Sequence, residues 1–315
     1  MKIFYHLEPD LISTSKNSVL AIGIFDGLHL GHWKILARVK KSATLKNLKT
    51  GILTFYPHPE RALNKKKVKL IQTLEQRLEL LKKEKIDFCL ILSLNRHLAR
   101  LSGRDFARLI LKDALQVKEV VVGKNFRFGH QRACGLKELK AFGQLFGFKV
   151  VAIQPVKKNS HQVSSSLIRR WLDKGRVEEA AKLLGRPYEI SGQMVKGRGI
   201  GRILGFPTIN LQTQNEILPP GVYISLAVIG KMTYPAVANI GFRPTFSETD
   251  QPTVEAHLID FSGRLSGKKV SLRLLKRLRA EKKFPSPEKL KIQIARDVNQ
   301  ARNFFKRRAR KQLLA

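Results

Sequence analysis

Two histidines three residues apart, His29 and His32, are the side chains of this chain best placed to do chemistry. They lie in a glycine-rich stretch, residues 23–32, that reads G-I-F-D-G-L-H-L-G-H. An apolar run precedes this stretch and apolar residues at helical spacing follow it, which predicts a strand, a turn and the start of a helix. The N-terminus of a helix carries unpaired N–H groups and the positive end of its dipole, so it attracts phosphate. The pattern therefore indicates a nucleotide phosphate site, although a helix cap or a core histidine gives the same short pattern.

The elements that would position these histidines follow a regular alternation. Helical patterns, such as that of residues 104–115, separate short apolar runs that predict strands. The predicted strands are residues 19–22, 50–55, 88–92, 119–123 and 149–153. Alternation of this kind predicts a doubly wound parallel sheet covered by helices on both faces. In such sheets the first turn from strand to helix binds nucleotides, which is where His29 and His32 lie.

The second half of the chain has a different pattern. A helical stretch ends at Gly185 and is followed by Pro187, which is typical of a boundary and divides the chain into domains 1–185 and 186–315. Beyond it, closely spaced strand patterns with turn signals predict an antiparallel sandwich or barrel. These patterns cover residues 188–195, 221–229, 233–240, 253–258 and 269–275. A final helix is predicted to begin after Ser286, a good N-cap. Its predicted apolar stripe consists of Leu290, Ile294, Val298, Ala301 and Phe305.

The composition argues against several classes of protein. No apolar run approaches the roughly 20 residues of a membrane-spanning helix, and the N-terminus turns polar at Glu8 and Asp10 instead of forming a signal peptide. The two cysteines, Cys89 and Cys134, are too few and too far apart for a disulfide framework or a zinc site. A reducing, cytoplasmic location is therefore expected.

The net charge of +36, from 60 basic and 24 acidic side chains, is spread over the chain. A general bias toward lysine and arginine explains such a charge, and a basic surface also favours anionic substrates such as ATP. Nucleic-acid binding is the alternative, but aromatic residues are not interleaved with the basic ones and no groove-reading helix is evident. The basic runs at residues 64–69 and 306–311 are typical of solvated loop and helix ends.

Eight motifs, taken in order along the chain, resemble those of the bacterial bifunctional riboflavin kinase/FAD synthetases. They are G-I-F-D-G-L-H-L-G-H at 23–32, T-F-Y-P-H-P at 54–59, V-G-K-N-F-R-F-G at 122–129, V-S-S-S-L-I-R at 163–169, G-R-I-L-G-F-P-T-I-N at 201–210, N-I-G-F-R-P-T-F at 239–246, E-A-H-L-I-D-F at 255–261 and L-R-A-E-K-K-F at 278–284. The resemblance implies an α/β N-terminal nucleotidyltransferase domain. It also implies an all-β C-terminal riboflavin kinase domain, an antiparallel β-barrel with a terminal helix.

For the first domain, the resemblance implies transfer of AMP from ATP to FMN, with release of pyrophosphate and formation of FAD. It assigns His29 and His32 as catalytic donors to the triphosphate. Further ATP-binding residues implied by the motifs are Gly23, Phe25, Asp26, Gly31, Asn125, Arg127, Ser164, Ser165 and Arg169. The serines at 164–166 also read as an ordinary N-cap, and both roles can hold together. His58, between two prolines, either holds its turn or touches substrate.

For the second domain, the resemblance implies phosphorylation of riboflavin at its 5′-hydroxyl by ATP. Thr208 and Asn210 are the implied Mg²⁺ ligands, Glu255 the implied general base and Arg279 the implied flavin contact. Implied ATP-binding residues of this domain are Gly197, Gly201, Arg202, Gly205 and Pro207. Two residues apart in an extended segment, Thr208 and Asn210 face one side. By themselves they also fit a turn, and Glu255 fits a surface carboxylate on an edge strand.

Three further expectations concern departures from related patterns. Ser166 stands where the family usually has threonine, which keeps the hydroxyl. Ile209 replaces a customary alanine, and its larger side chain is expected to crowd the nucleotide. The glycines at 197–201 resemble a dinucleotide-binding fingerprint, but no helix is predicted to follow them, which argues against NAD.

The main hypothesis is one enzyme with two active sites, whose partners are the small molecules riboflavin, FMN and ATP. One alternative retains a single activity, with the kinase as the one lost because of Ile209. The other is a nucleic-acid-binding protein on the same fold. Neither a membrane nor a specific nucleic acid is expected as a partner, and the sequence does not indicate an oligomeric state.

Overall fold

A computed structural model of the chain describes residues 1–64, 68–197, 199–241, 252–263 and 267–313. Parts of three stretches discussed above therefore lie outside the described residues: residues 65–67, Arg198 and residues 242–246. The side chains of the basic run beyond Arg307 are also outside them. The chain divides into two compact units, Met1–Ser165 and Ser166–Ala315.

The first unit is built on a parallel sheet. Its strands are β1 (Lys2–Phe4), β2 (Ser18–Ile22), β3 (Lys49–Phe55), β4 (Phe88–Leu92), β5 (Glu119–Gly123) and β6 (Lys149–Ile153). They are ordered β1-β4-β3-β2-β5-β6, and every neighbouring pair is parallel. The predicted doubly wound sheet is confirmed. The edge strand β1 was not predicted, because three residues carry too little pattern.

Helices cover both faces of this sheet. They are α1 (Pro9–Ser15), α2 (Leu30–Lys46), α3 (Pro59–Asn64), α4 (Leu74–Lys83), α5 (Arg96–Arg100), α6 (Gly103–Asp105) and α7 (Leu136–Phe146), with a π-helix at Phe106–Ala114 and a 3₁₀ turn at His130–Arg132. The helix predicted at 104–115 forms as α6 and the π-helix together. The short strands β7 (Lys157–Lys158) and β8 (His161–Gln162) pair as a hairpin.

The residues of β2 show how the sheet is buried on both sides. Leu20 and Ile22 belong to one apolar cluster, and Val19 and Ala21 belong to another on the opposite face. All four are at most 2% exposed. A strand buried on both faces reads as a continuous apolar run, and this is the pattern from which β2 was predicted.

The direction of winding reverses between β2 and β5. In open α/β sheets the crevice at such a reversal, outside the carboxyl ends of the strands, is where ligands bind. The loop after β2 is the glycine-rich stretch, and the loop after β5 carries the V-G-K-N-F-R-F-G motif. The topology therefore brings these two motifs to the same edge of the sheet.

The second unit is built on a closed antiparallel barrel. Its strands are β9 (Tyr188–Val195), β10 (Thr208–Thr213), β11 (Gly221–Ile229), β12 (Met232–Gly241), β13 (Thr253–Leu258) and β14 (Lys269–Arg279), in the order β10-β13-β12-β11-β14-β9. Of the two architectures left open by the sequence, the barrel is the one that forms. The prediction that no helix follows the glycines at 197–201 was wrong, since α10 (Ile200–Ile203) makes a single turn there.

Three longer helices complete the second half of the chain: α8 (Ser165–Asp173), α9 (Val177–Leu184) and α11 (Pro287–Leu313). The N-cap predicted for the last one is confirmed, because the Ser286 hydroxyl accepts a hydrogen bond from Lys289 N at 3.4 Å. Leu290 and Ile294, from its predicted apolar stripe, face a cavity on the barrel. Val298 and Ala301, farther along the stripe, are buried.

Along the chain, the division between the two compact units follows residue 165, which is 20 residues before the predicted domain boundary after residue 185. Helix α9 packs against β9 and β14. In addition, Glu178 on this helix accepts a hydrogen bond from Arg277 N at 3.2 Å. Helix α9, which precedes the predicted boundary, therefore belongs with the barrel by its contacts. Among the described residues, no helix is both long and apolar enough to cross a membrane.

Candidate active sites

The two histidines lie together at the start of α2. His29 is the N-cap residue and His32 lies in the first turn. Their rings stack with centroids 3.7 Å apart and planes 14° from parallel, and the ring of Phe25 meets His32 edge-on at 5.3 Å. The predicted strand, turn and helix start are thus present. Two stacked imidazoles at a helix N-terminus have the chemistry that negatively charged phosphate oxygens require, and their role as a phosphate site stays a prediction.

Gly31 is required by the position of the His29 ring. A Cβ at this residue would lie 3.1 Å from Cε1 and 3.2 Å from Nδ1 of His29. A larger residue would therefore crowd the imidazole, which would have to move by a few tenths of an ångström. The glycine between the two histidines therefore serves the geometry of the pair.

Asp26 orders the turn through its carboxylate and its backbone carbonyl. Its carboxylate is buried and accepts a hydrogen bond from Ile71 N at 3.0 Å. Its backbone carbonyl accepts one from the Ser165 hydroxyl at 2.8 Å. Ser165 is the first residue of α8, so it joins the fourth motif to the first.

The residues predicted after β5 occupy an exposed loop. Asn125 and Arg127 are both exposed. The guanidinium of Arg127 donates to the carbonyl of Arg132 at 3.0 Å and to that of Ala133 at 3.4 Å. Arg127 therefore braces its own loop, and a contact between this side chain and ATP stays a prediction.

The remaining residues predicted for this site separate into two groups. Ser164 precedes α8, and Arg169 lies within that helix, in the second compact unit. His58 holds its turn, because its Nδ1 accepts a hydrogen bond from Glu60 N at 3.2 Å. Of the two readings left open for His58, this contact supports the structural one.

Sequence reasoning missed Arg77 and Thr54 beneath the glycine-rich turn. Arg77 is 1% exposed, and its Nη1 donates to the Ile24 carbonyl at 2.9 Å. The Thr54 hydroxyl donates to the same carbonyl at 3.0 Å. Burial lowers the pKa of Arg77, and the negative charge of Asp26 acts in the opposite direction. A buried cation therefore lies under the predicted phosphate site.

In the second unit, a cavity of about 1120 Å³ opens on the barrel beneath the start of α11. Predicted site residues that line it are Gly201, Thr208, Asn210, Glu255 and Arg279. This volume lies just above the range typical of small-molecule pockets, about 300–1000 Å³.

Three polar side chains form a row across neighbouring strands of this cavity. Asn210 on β10 pairs with Glu255 on β13, and Glu255 pairs with Asn239 on β12. Residues directly opposite each other on antiparallel strands share a face, with Cβ atoms about 5 Å apart. The structure therefore brings Asn210 and Glu255 together as predicted. Asn239, although part of a recognised motif, was not predicted as a site residue.

The glycine-rich loop approaches this row closely. A Cβ at Gly197 would lie 2.1 Å from Nδ2 of Asn210, so a larger residue there would displace the Asn210 side chain. Arg202 lies within α10, and Gly205 follows in a left-handed conformation with φ of 85°. Pro207 presents its carbonyl to Nδ1 of His257 at 2.9 Å.

His257 was also missed by sequence reasoning. It lines the cavity and pairs across strands with Thr208. Since a carbonyl oxygen only accepts hydrogen bonds, Nδ1 of His257 carries the proton in its contact with Pro207. His257 thus fixes the turn that leads into Thr208.

Ile209 does not crowd the cavity, and that expectation was wrong. Its neighbours Thr208 and Asn210 line the cavity, and alternation along β10 turns Ile209 to the opposite face. The side chain is 8% exposed and pairs with Ala256. The argument for a lost kinase activity based on Ile209 therefore has no structural support.

Arg279 lines the cavity but has a protein partner. Its Nε and Nη2 donate to Asp297 on α11 at 3.0 and 2.9 Å, and Asp297 is 2% exposed. Gln293 donates to the other oxygen of the same carboxylate at 2.9 Å. The ion pair therefore fastens the end of β14 to α11 across the loop that forms one wall of the cavity.

The donor chemistry of the cavity suits Mg²⁺. Among the described residues, no cluster of three or more His, Cys, Asp or Glu side chains is arranged to hold a metal ion by itself. The hydroxyl of Thr208 and the amide oxygen of Asn210 are hard oxygen donors, next to the carboxylate of Glu255. Mg²⁺ is commonly held by a few such ligands together with substrate phosphates. The residues fit an ion that arrives with ATP.

Two family models match the chain in the same order as the two sites. The model described as FAD synthetase matches residues 11–167, and the one described as riboflavin kinase matches residues 184–305. A solved chain described as a macrolide-efflux protein from Streptococcus pneumoniae is 29% identical, with a TM-score of 0.87 over 96% of this chain and 99% of that one. The two-unit architecture is thus shared over whole chains.

Curated relatives share both halves. The bifunctional riboflavin kinase/FMN adenylyltransferase of Buchnera aphidicola subsp. Schizaphis graminum is 36% identical over 301 residues, covering 94% of this chain and 96% of that protein. The protein of the same name from Escherichia coli K12 is 35% identical over 290 residues, covering 91% and 92%. This chain therefore belongs to the family of bifunctional riboflavin kinase/FMN adenylyltransferases.

Proposed function

We propose that this chain phosphorylates riboflavin to FMN in the barrel unit and adenylylates FMN to FAD in the unit with the parallel sheet. The observation that carries the proposal is the correspondence between family and site. The riboflavin kinase model covers the strands that hold Asn210 and Glu255, and the FAD synthetase model covers the turn that holds His29 and His32. The strongly basic composition also favours small anionic substrates, and it does not require the nucleic-acid alternative.

In the barrel unit, Glu255 accepts the proton of the riboflavin 5′-hydroxyl as that oxygen attacks the γ-phosphorus of ATP. The bond between the γ-phosphorus and the bridging oxygen breaks, and ADP leaves. Thr208 and Asn210 would hold Mg²⁺, which would neutralise charge on the phosphates. His257 keeps the turn at Pro207 in place, and Asn239 lies beside Glu255 to orient it.

The glycine-rich loop and the end of β14 complete this site. Gly197 and Gly201 let the backbone approach the ATP phosphates. Arg202 lies in the same short helix as Gly201, and Gly205 forms the turn that follows this helix. Arg279 was expected to contact the flavin, and its pairing with Asp297 leaves N–H groups available for that contact. The flavin contact stays a prediction.

In the first unit, a phosphate oxygen of FMN attacks the α-phosphorus of ATP, and pyrophosphate leaves. This transfer needs no covalent intermediate with the protein, so positioning and charge stabilisation supply the catalysis. His29 and His32 donate to the triphosphate oxygens as charge develops, with the N-terminus of α2 behind them. Asn125, Arg127, Ser164 and Arg169 are proposed as further ATP contacts.

The free thiols of Cys89 and Cys134 support a reducing, cytoplasmic location. Burial raises the pKa of the Cys89 thiol to about 12, so it stays protonated and inert.

The direct test is to incubate the full chain with riboflavin, ATP and MgCl₂ and to separate the flavins by chromatography. We expect FMN to appear first and FAD to follow. A parallel reaction supplied with FMN in place of riboflavin should form FAD and pyrophosphate. Formation of FMN without FAD would mean that the chain has only the kinase activity. No conversion of either flavin would contradict the proposal.

A further inference from the structure

The loop that presents the two catalytic histidines has an unusual backbone. Phe25 and Leu28 have φ angles of 55° and 41°, in the left-handed region that side chains other than glycine rarely adopt, and Gly27 between them has φ of 85°. Both non-glycine side chains are fully buried. Such conformations persist only where the surrounding structure holds them in place. The contacts that hold this loop therefore decide where His29 and His32 lie.

One set of contacts holds the outer part of the loop. Ile71 N donates to the carboxylate of Asp26, and the Ser165 hydroxyl donates to the Asp26 carbonyl. These bonds fix the residue between Phe25 and Gly27. They leave open how the chain is held where it first departs from β2.

Arg77 holds the chain there, through the backbone carbonyl of Ile24. Its Nη1 donates to the Ile24 carbonyl at 2.9 Å, and the Thr54 hydroxyl donates to the same oxygen at 3.0 Å. Nη1 of Arg77 also lies 3.5 Å from Oγ1 of Thr54, which closes a triangle of polar contacts. The Ile24 carbonyl belongs to the peptide directly before Phe25, so this triangle fixes the entry to the left-handed segment.

Stability alone does not account for an arginine at this position. Among the described residues, Arg77 is the largest fully buried side chain. Its hydrogen-bond partners within these residues are a carbonyl and a hydroxyl, and none of them is a carboxylate. Its Nε is buried and has no hydrogen-bond partner among those residues. A buried charge is costly, and an apolar side chain of similar volume would be cheaper. The cost is understandable if the geometry of the loop serves the reaction.

We propose that Arg77 is a positioning residue for adenylyl transfer, which holds the Ile24 carbonyl so that the loop presents His29 and His32 to the phosphates of ATP. The inference rests on the proposed function of the first unit. It adds a role for a residue of α4 that, through Ile24, acts on the reacting groups without touching them.

The experiment compares Arg77→Met with Lys82→Met, which removes an exposed cation from the same helix. Displacing catalytic groups by about 1 Å typically costs on the order of 10²-fold in rate. We therefore expect Arg77→Met to lower kcat for FAD formation from FMN by about 10²-fold. Lys82→Met should leave it unchanged. Arg77→Lys retains a donor and should lose less than Arg77→Met.

Two readouts separate positioning from a loss of folded protein. Riboflavin phosphorylation by the same chain serves as an internal control and should be unchanged in every variant. Assays are run well below each variant's unfolding temperature, where a purely structural role predicts wild-type kcat. A folded Arg77→Met variant with wild-type kcat would overturn the proposal.

If Arg77→Met does not fold, Thr54→Val decides the question, because it removes the other hydrogen bond to the Ile24 carbonyl. We expect its kcat for FAD formation to fall about tenfold, a loss at the lower end of what misplacement costs. A folded Thr54→Val variant at the wild-type rate would overturn the proposal. Failure of the wild-type chain to make FAD from FMN would instead refute the proposed function.

Discussion

The stacked pair of His29 and His32 is the part of the first site from which most of the chemistry follows. Replacing His32 with alanine removes one preorganised donor and the stacking partner of His29. Loss of one such donor typically costs on the order of 10²–10³ in rate. We therefore predict that His32→Ala lowers FAD formation from FMN by that factor and leaves riboflavin phosphorylation intact. Product chromatography with each flavin supplied separately measures both.

An exposed histidine of the same unit, His97, provides the control, and His97→Ala should affect neither activity. Equal loss of both activities in His32→Ala would contradict the assignment, since it would indicate a structural role for His32.

In the barrel, the proposed catalytic residue is Glu255, which lies in a row with Asn210 and Asn239. Glu255→Gln keeps the shape of the side chain and removes the proton acceptor. We predict that riboflavin phosphorylation falls by about 10²–10⁴-fold, the usual cost of losing a general base. ATP affinity, measured by equilibrium binding, should be retained.

The control for Glu255→Gln removes an exposed carboxylate of the same unit, as Asp260→Asn. FAD synthesis from supplied FMN should continue in both variants. If Glu255→Gln made FMN at the wild-type rate, another group would have to accept the proton.

Individual site residues could be predicted from the sequence where a motif places the chemically relevant residues close together in the chain. His29, His32, Thr208, Asn210 and Glu255 were all predicted from such motifs, and the structure gathers them into the turn and the cavity. Their catalytic roles remain predictions.

Arg77, Thr54 and His257 were missed for a physical reason. An arginine in a polar helical stretch reads as part of a solvated face, and only the tertiary fold reveals that its guanidinium lies under a turn 53 residues earlier in the chain. The contact of His257 with Pro207 spans 50 residues. Hydrogen bonds of this length leave no local pattern in a single sequence.

Among the elements, β5 and α2 are joined by a buried carboxylate. Glu119 is fully buried, accepts a hydrogen bond from the Ser42 hydroxyl at 2.8 Å and forms an ion pair with Lys46. Burial acts to raise its pKa, but the hydrogen bonds from Lys46 and Ser42 and the nearby positive charges outweigh it. The pKa of Glu119 therefore lies below its usual 4.5.

This lowered pKa gives a prediction for stability against pH. Above the pKa of the unfolded chain, Glu119 is charged in both states and its stabilisation is fully present. As the pH falls below 4.5 and through the lower folded pKa, protonation removes that stabilisation. We predict that Glu119→Gln lowers the free energy of unfolding by about 1.5–3 kcal/mol at neutral pH. The difference from wild type should shrink in acid.

Denaturant unfolding at several pH values measures this difference. The matched control is Glu84→Gln, which breaks a partly exposed pair with Lys40 and should cost at most about 1 kcal/mol. A difference between wild type and Glu119→Gln that stayed constant from neutral pH into acid would contradict the linkage.

Strands and helices were predicted where their patterns are long or strongly periodic. Five strands of the sheet and the strands β9, β11 and β13 fall where the apolar and alternating patterns placed them. The elements that the patterns did not predict include β10, which has six residues, and several shorter elements. The strand β1 and the helix α10 have only three and four residues, and β1 forms where it pairs with β4 at the edge of the sheet.

At the scale of the whole molecule, the junction between the two units bears on how the activities can be separated. Helix α9 buries Val177, Ala180, Leu183 and Leu184. Its residue Glu178 also holds Arg277 on β14. A fragment of residues 186–315 would lose this cover, whereas one of residues 166–315 would keep it.

We predict that both fragments make FMN and that neither makes FAD. Since each buried leucine or valine contributes about 1.5–3 kcal/mol, the shorter fragment should unfold at a temperature lower by more than about 5 °C. Calorimetry and flavin chromatography measure the two effects. Equal unfolding temperatures would mean that α9 does not support the barrel, and FAD from either fragment would contradict the division of activities.

The central claim is that two independent sites in one chain act in sequence on the same flavin. Mixing the His32→Ala and Glu255→Gln chains with riboflavin, ATP and MgCl₂ tests it most directly, because each variant keeps the site that the other has lost. Alone, the first should stop at FMN and the second should leave riboflavin largely unconverted. Together they should make FAD, since FMN released by one chain is adenylylated by the other. A mixture that forms FMN but no FAD, while Glu255→Gln still converts supplied FMN, would contradict the account.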